Sequence, residues 1–293
     1  MNAHYNGIMM TPLFTQHYPR NSPAFAELVH SQVAAALAED IGTGDLTAEL
    51  IAANQQAHAT VRARETAVIC GQDWFNACFS QLDPLATIIW HVHEGERASP
   101  DQVLCDITGQ ARALLSAERT ALNFLQTLSA TATETKRYVD AIQGLPTAVL
   151  DTRKTIPGLR LAQKYAVTVG GGLNQRLALY DGILIKENHI ATAGSITAAL
   201  QSAYRLHPNI SIQIEVENIS QLEEALLAGA KSILLDNFSL ELMREAVHIN
   251  QQRAVLEASG NVNLSTIHTI AATGVDRISI GNLTKSIRAI DLS

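Results

Sequence analysis

Cysteine, positive charge and long apolar runs are all scarce in this 293-residue chain. Cys70, Cys78 and Cys105 are odd in number and lack metal-type pairing, which points to reduced thiols in a packing role. With 21 Lys and Arg against 28 Asp and Glu, the formal net charge is -7. That balance argues against coating nucleic acid or an anionic membrane, both of which rely on a net basic face. No run approaches the roughly 18 apolar residues that span a bilayer. The first 22 residues lack the basic start and unbroken apolar stretch of a secretory signal. The expected setting is cytoplasmic, with no nucleic-acid or membrane partner.

What is present is a folded-protein composition, 47% hydrophobic and 17% charged, long enough for one large or two medium domains. The leading segment to about Pro23 has no periodicity and is expected to fray. From Ala24 to Asp40, Phe25, Leu28, Val29, Val33 and Leu37 recur at helical spacing, and "EDIGTGDLT" ends the pattern. Between Ala57 and Thr108, "ATVRARETAVICG", "ATIIWHVHEG" and "QVLCDITG" predict a compact, mostly antiparallel sheet. A long helix follows to Gly144, with Leu115, Leu122, Leu125 and Leu128 read as one buried face.

The rhythm then changes. "TAVLD", "GILIK", "SIQIEVE", "SILLD", "AVLEAS" and "RISIG" are short apolar strands separated mostly by helical stretches such as "ISQLEEALLAGA". Repeated strand–helix units imply a parallel sheet with right-handed crossovers. Six strands are fewer than the eight of a closed barrel, so the prediction is an open α/β barrel. These strands end on Asp151, Lys186, Glu215, Asp236, Ser259 and Gly281, and in barrels the carboxyl ends carry the active site.

Charge concentrates there. From Asp151 to Lys186 the cations are Arg153, Lys154, Arg160, Lys164, Arg176 and Lys186, against two acids, Asp151 and Asp181. Arg160 and Lys164, four residues apart, read as solvated helix charges. Arg153, Lys154 and Lys186 punctuate strand ends instead. Arginine's forked donors suit carboxylates and phosphates, and lysine acts as a point charge, so the expected ligand is multiply anionic. Gly170, Gly171 and Gly172 suggest backbone that approaches something closely. Ser259, Gly260 and Asn261, and then Gly281 and Asn282, form small-residue loops of the kind that bind phosphate with backbone N–H groups. On "SIQIEVEN" alternation puts Gln213, Glu215 and Glu217 on one face. Acids beside a cationic cleft suit ribose hydroxyls or magnesium carried by a diphosphate.

Taken together, "ERTALNFLQTLSATAT", "DTRKTIPGLR", "KYAVTVGGGLNQR", "LIKENHI", "IEVEN", "LLDN" and "EASGN" resemble quinolinate phosphoribosyltransferase, from about "EDIGTGDLT" to the C-terminus. The resemblance implies an N-terminal α/β sandwich domain, residues 24–128 completed by 284–293 after a flexible segment 1–23, and an incomplete α/β barrel over 129–283. It implies a reaction of quinolinate with phosphoribosyl pyrophosphate in NAD biosynthesis, with Mg2+ accompanying the sugar diphosphate. It also implies a homodimer whose subunits share each active site, Arg119 crossing to the partner. By the same resemblance Arg153, Arg176 and Lys186 hold the di-acid, with Thr152 and Gln175 beside them, and Lys154 contacts the phosphoribosyl donor. Glu215 and Asp236 lie near ribose and magnesium, with Lys154, Lys186, Glu215 and Asp236 as the catalytic set. Ser259, Gly260, Asn261 and the Ser279, Ile280, Gly281 turn cradle the 5′-phosphate.

One position departs, since Asn174-Gln175-Arg176 stands where the family commonly has Asn-His-Arg. Glutamine donates hydrogen bonds but carries no charge. His189 reads as structural. A Schiff-base lyase using Lys154 or Lys186, a phosphoribosyltransferase for another base, and a non-catalytic anion-binding protein remain as rivals.

Overall fold

The structure, a computed structural model, describes residues 12–293 and the backbone of two short strands, β1 (Ala3–Tyr5) and β2 (Ile8–Met10). The fraying expected up to about Pro23 falls in part on Met1, Asn2, Asn6, Gly7 and Thr11, which lie outside that description; within it Leu13–His17 is helical and Phe14 is buried, so that part of the segment is held by packing. Two compact units divide the chain. One comprises Phe14–Lys136, Ile156–Gly171 and Thr284–Ser293, and the other Met1–Leu13, Arg137–Thr155 and Gly172–Leu283.

The first unit opens with α1 (Leu13–His17) and α2 (Pro23–Ile41). Ser22 caps α2 by accepting the Phe25 N–H at 3.2 Å, and Pro23 supplies a preset first turn. Phe14, Phe25, Trp74 and Tyr165 then pack edge-on or tilted against one another, with ring centroids 5.4–6.3 Å apart. The predicted sheet is present as β3 (Gln56–Arg62), β5 (Thr87–Trp90) and β7 (Val103–Gln110), antiparallel in the order β3-β7-β5. A separate antiparallel pair joins β4 (Ala67–Val68) to β6 (Arg97–Ala98). The C-terminus pairs with β3, Arg62 and Ser293 exchanging backbone bonds of 2.7 and 3.0 Å.

Between β4 and β5 runs α3 (Gln72–Leu82), whose first N–H groups are capped by the Glu94 carboxylate. The long helix is α4 (Ala111–Ala141). Leu122, Leu125 and Leu128 are buried, but Leu115 is 49% exposed, because it lies near the helix start where little covers it. The helix α5 (Arg160–Val169) corrects another reading. Lys164 is fully buried and not a solvated charge, since the helix is covered on nearly every side. Gly170 explains part of the glycine run: a Cβ there would sit 2.5 Å from the Ala132 carbonyl oxygen, so its smallness serves packing against α4. All three cysteines are free and buried, and burial pushes the Cys78 and Cys105 thiols up to about 12, where they are poor nucleophiles.

The second unit holds β8 (Ala148–Leu150), β9 (Gly182–Ile185), β10 (Ser211–Val216), β11 (Ser232–Asp236), β12 (Val255–Ser259) and β13 (Arg277–Ser279). All six predicted strands form one parallel sheet in the order β8-β13-β12-β11-β10-β9. The sheet is open, two strands short of a closed barrel. Its crossovers carry α6 (Glu187–Ala193), α7 (Ile196–Leu206), α8 (Ile219–Leu227), α9 (Leu240–Asn250) and α10 (Ile267–Ala271), and α11 (Asn282–Lys285) follows β13. Ser195, Asn218 and Ser239 cap α7, α8 and α9, each accepting the N–H three residues on at 3.0–3.2 Å.

Candidate active site

Register decides which strand-end residues meet. Paired residues of a parallel sheet share a face, and every second residue returns to it. Glu215 pairs with Leu234 and Leu234 with Glu257, while Asp236 pairs with Ser259. Leu184 pairs with Gln213, which puts Lys186 on the same face. Lys186, Glu215, Asp236 and Ser259 therefore share one face at the carboxyl end of the sheet. The Lys186 Nζ lies 3.2 Å from Glu215 Oε2.

Burial raises the Glu215 carboxyl above its ordinary value, and the nearby Asp236 and Glu187 charges add to the rise, although Lys186 opposes it. A carboxyl whose folded pKa is raised favours the folded state fully at pH below its unfolded value. That contribution is lost as pH rises through the folded pKa. Glu215→Gln should therefore melt higher than the parent at pH 7, by ~2 °C, with the gap closing as pH falls through the raised pKa. Activity should fall in the same variant. Thermal melts across pH 4–8 beside a turnover assay read both effects.

The second cluster gathers around β8. Leu173 bridges to Leu150, and Asp151 follows with its side chain fully buried. Its carboxylate accepts Asn174 Nδ2 at 2.7 Å and the Gln175 N–H at 2.9 Å, which draws residues 174–176 to the sheet end. Arg176 Nη1 donates to the Gly182 carbonyl at 2.8 Å. Burial, and then the charge of Arg153, lower the Arg176 pKa, while Asp181 opposes the fall, so the two guanidinium groups lie within electrostatic reach of each other. Such an arrangement is relieved by a multiply charged anion.

The loops are tight where phosphate binding was predicted. Asn237, Gly260 and Asn261 all have positive φ, at 54°, 108° and 49°. A Cβ on Gly260 would fall 2.1 Å from Asn237 Oδ1. A Cβ on Gly281 would fall 3.1 Å from Lys154 Cδ, so the lysine stem crosses this turn with Thr152 Oγ1 bonded to its N–H at 3.1 Å. In the same turn Ser279 and Ile280 are buried, and the Ile280 N–H already donates to the Leu150 carbonyl. Nδ1 of His189 accepts the Lys186 N–H at 3.0 Å, a capping role at the start of α6. Arg119 belongs to the other unit, where it is exposed and lines a cavity of about 640 Å³ with Glu39, Asp40, Asn123 and Phe124.

Among the described residues no group of three or more His, Cys, Asp and Glu could hold a metal. Two carboxylates, Glu215 and Asp236, suit a magnesium ion that arrives with its phosphates better than a resident one. Gln213 and Glu257 were not singled out from sequence as ligands or supports, yet both lie beneath this end of the sheet and bond to Gln175. The period-2 alternation of β10 was the one signal for Gln213. Nothing local marked Glu257.

Comparison with known proteins agrees with the geometry. The model of the quinolinate phosphoribosyl transferase C-terminal domain matches residues 131–293, and that of the N-terminal domain matches 45–129. The chain belongs to the quinolinate phosphoribosyltransferase family. It is 40% identical over 256 residues to a probable carboxylating nicotinate-nucleotide pyrophosphorylase of Bacillus subtilis, covering 87% of this chain and 89% of that protein. A carboxylating nicotinate-nucleotide pyrophosphorylase of Mycobacterium leprae is 39% identical over 264 residues, covering 88% and 93%. Among solved structures, the nicotinate-nucleotide pyrophosphorylase of Francisella tularensis superposes with a TM-score of 0.89 at 46% identity, over 92% of this chain and 95% of that one. Membership in the quinolinate phosphoribosyltransferase family makes this chain a pentosyltransferase and places it in NAD biosynthesis.

Proposed function

We propose that the chain joins the ring nitrogen of quinolinate to C1 of phosphoribosyl pyrophosphate, releasing pyrophosphate and carbon dioxide and leaving nicotinate mononucleotide. The observation that carries this reading is the placing of Arg153, Lys154 and Lys186 just past the carboxyl ends of their strands, with Arg176 within electrostatic reach of Arg153, in a chain of net charge -7. Quinolinate brings two carboxylates and the sugar brings a diphosphate and a 5′-phosphate.

In this reading Arg153, Arg176 and Lys186 pair with the di-acid, with Thr152 and Gln175 beside them, and hold the ring nitrogen against C1; such positioning removes much of a barrier. Lys154, crossing Gly281, meets the departing pyrophosphate. Ser259, Gly260 and Asn261, with the turn Ser279, Ile280 and Gly281, receive the 5′-phosphate. Glu215 and Asp236 accept from the ribose hydroxyls and would hold magnesium, which supplies charge neutralisation of the leaving diphosphate. As the C1–O bond breaks, C1 gains oxocarbenium character, as at other glycosidic centres. The ring nitrogen's lone pair forms the new bond. The quaternised ring then takes the electron pair released when the adjacent carboxylate leaves as carbon dioxide, and that carbon regains a proton.

The assay is direct. Purified protein with magnesium and phosphoribosyl pyrophosphate should turn over quinolinate, yielding mononucleotide and carbon dioxide in equal amounts. Nicotinate and orotate should not react, and turnover of either in place of quinolinate would overturn the assignment.

The assembly is a homodimer in cytoplasm, with Arg119 completing the partner's site. Arg119→Ala and Lys154→Ala chains are each expected to be inactive alone. Mixed after subunit exchange, they should recover about a quarter of wild-type activity, one working site in each half-and-half dimer. Confirmed exchange without recovery would count against sharing.

A further inference from the structure

Gln175, the residue that departs from the common family pattern, is the visible end of a buried network. Its Nε2 donates to Gln213 Oε1 at 2.6 Å and stands 3.0 Å from each oxygen of Glu257. Gln213 Nε2 donates to Glu257 Oε2 at 2.9 Å. Glu257 has no solvent exposure and Gln213 has 6%. On its other side, Gln175 Oε1 accepts the Arg176 N–H at 2.9 Å.

The chemistry of the amide explains why the set fits together. One amide nitrogen carries two hydrogens, so it serves the Gln213 carbonyl and the Glu257 carboxylate at once. An imidazole nitrogen carries at most one. The amide oxygen remains to receive the next residue's N–H. Asp151 holds the same turn from the opposite side through Asn174 Nδ2 and the Gln175 N–H. Residues 174–176 are thus clamped between two buried carboxylates. Arg176 leaves this clamp with Nη1 on the Gly182 carbonyl. Among the described residues its other side-chain N–H groups meet no protein acceptor.

We infer that Gln213 and Glu257 are positioning residues which, through Gln175, aim the Arg176 guanidinium at a carboxylate of the pyridine di-acid. They touch no substrate themselves. A buried carboxylate surrounded by amide donors holds its geometry because every alternative leaves a charge or a donor unsatisfied. The inference rests on the reaction proposed above, and it concerns the di-acid half of the site alone.

The test is Glu257→Gln, which keeps shape but opposes the Gln175 and Gln213 N–H groups with a third amide. The quinolinate KM should rise about 10- to 100-fold, the range expected when a binding group is misplaced by about an ångström. The phosphoribosyl pyrophosphate KM should stay within about twofold, and the Arg176 amide should exchange with deuterium about tenfold faster while the sheet amides keep their protection. A purely structural role would shift both KM values, or loosen the whole sheet. Equal movement of the two constants, or an unchanged quinolinate KM, would overturn the inference. Should the parent protein show no turnover with quinolinate, the proposed function fails, and exchange at Arg176 still decides the positioning claim. If Glu257→Gln does not fold, Gln213→Met goes through the same two measurements with the same expectations.

Discussion

Lys154→Ala should lower kcat with phosphoribosyl pyrophosphate by about 10²–10³-fold, the loss typical of removing one preorganised group from a developing negative charge, or ~3–4 kcal/mol. The lysine is exposed, so its removal should leave the melting temperature within about a degree. Its stem lies across Gly281, beside the turn assigned to phosphate, and the Thr152 hydroxyl fixes its backbone. Those contacts aim a point charge at one place. Steady-state kinetics at saturating quinolinate reads the effect. A loss below about tenfold would remove Lys154 from the leaving-group role.

Gly260→Ala should damage both folding and sugar-phosphate binding. The glycine has φ of 108°, which side chains rarely tolerate, and the added methyl would sit 2.1 Å from Asn237 Oδ1 and 3.3 Å from Asn237 Cα. Asn237 cannot simply swing away, because its own φ is 54° and its N–H is tied to the Ser259 carbonyl at 3.0 Å. Two loops would move together, one from the end of β11 and one from the end of β12. The strain alone is worth about 1–3 kcal/mol, and the displaced N–H groups should raise the phosphoribosyl pyrophosphate KM about 100-fold. The quinolinate KM should change far less. A variant that melts and binds like the parent would show that this turn does not receive the phosphate.

Sequence reasoning reached furthest where a signal is local. The six strands of the parallel sheet announced themselves as short apolar runs ending on polar residues, and the register then brought Lys186, Glu215, Asp236 and Ser259 onto one face. Contacts between distant segments were illegible. Glu257 meets Gln175 across 82 positions, and neither residue advertises the other. Lys164 looked like a surface charge because helical spacing cannot say that a helix is enclosed on all sides. Leu115 looked like core because the same spacing cannot say where neighbours stop. Phe14, in a stretch without periodicity, is 1% exposed, and rings from two other segments, Phe25 and Tyr165, close over it. Of the glycine run read as a close approach, Gly170 makes one, and the approaching partner is helix α4.

Both tryptophans of the chain, Trp74 and Trp90, stand in the unit that holds β3 to β7. Intrinsic fluorescence excited at the red edge is consequently a gauge of that unit alone, silent on the six parallel strands. An emission change on adding phosphoribosyl pyrophosphate would mean that the unit carrying Arg119 senses the ligand. Denaturation followed by this light and by circular dichroism should give superimposable curves only if the two units come apart as one.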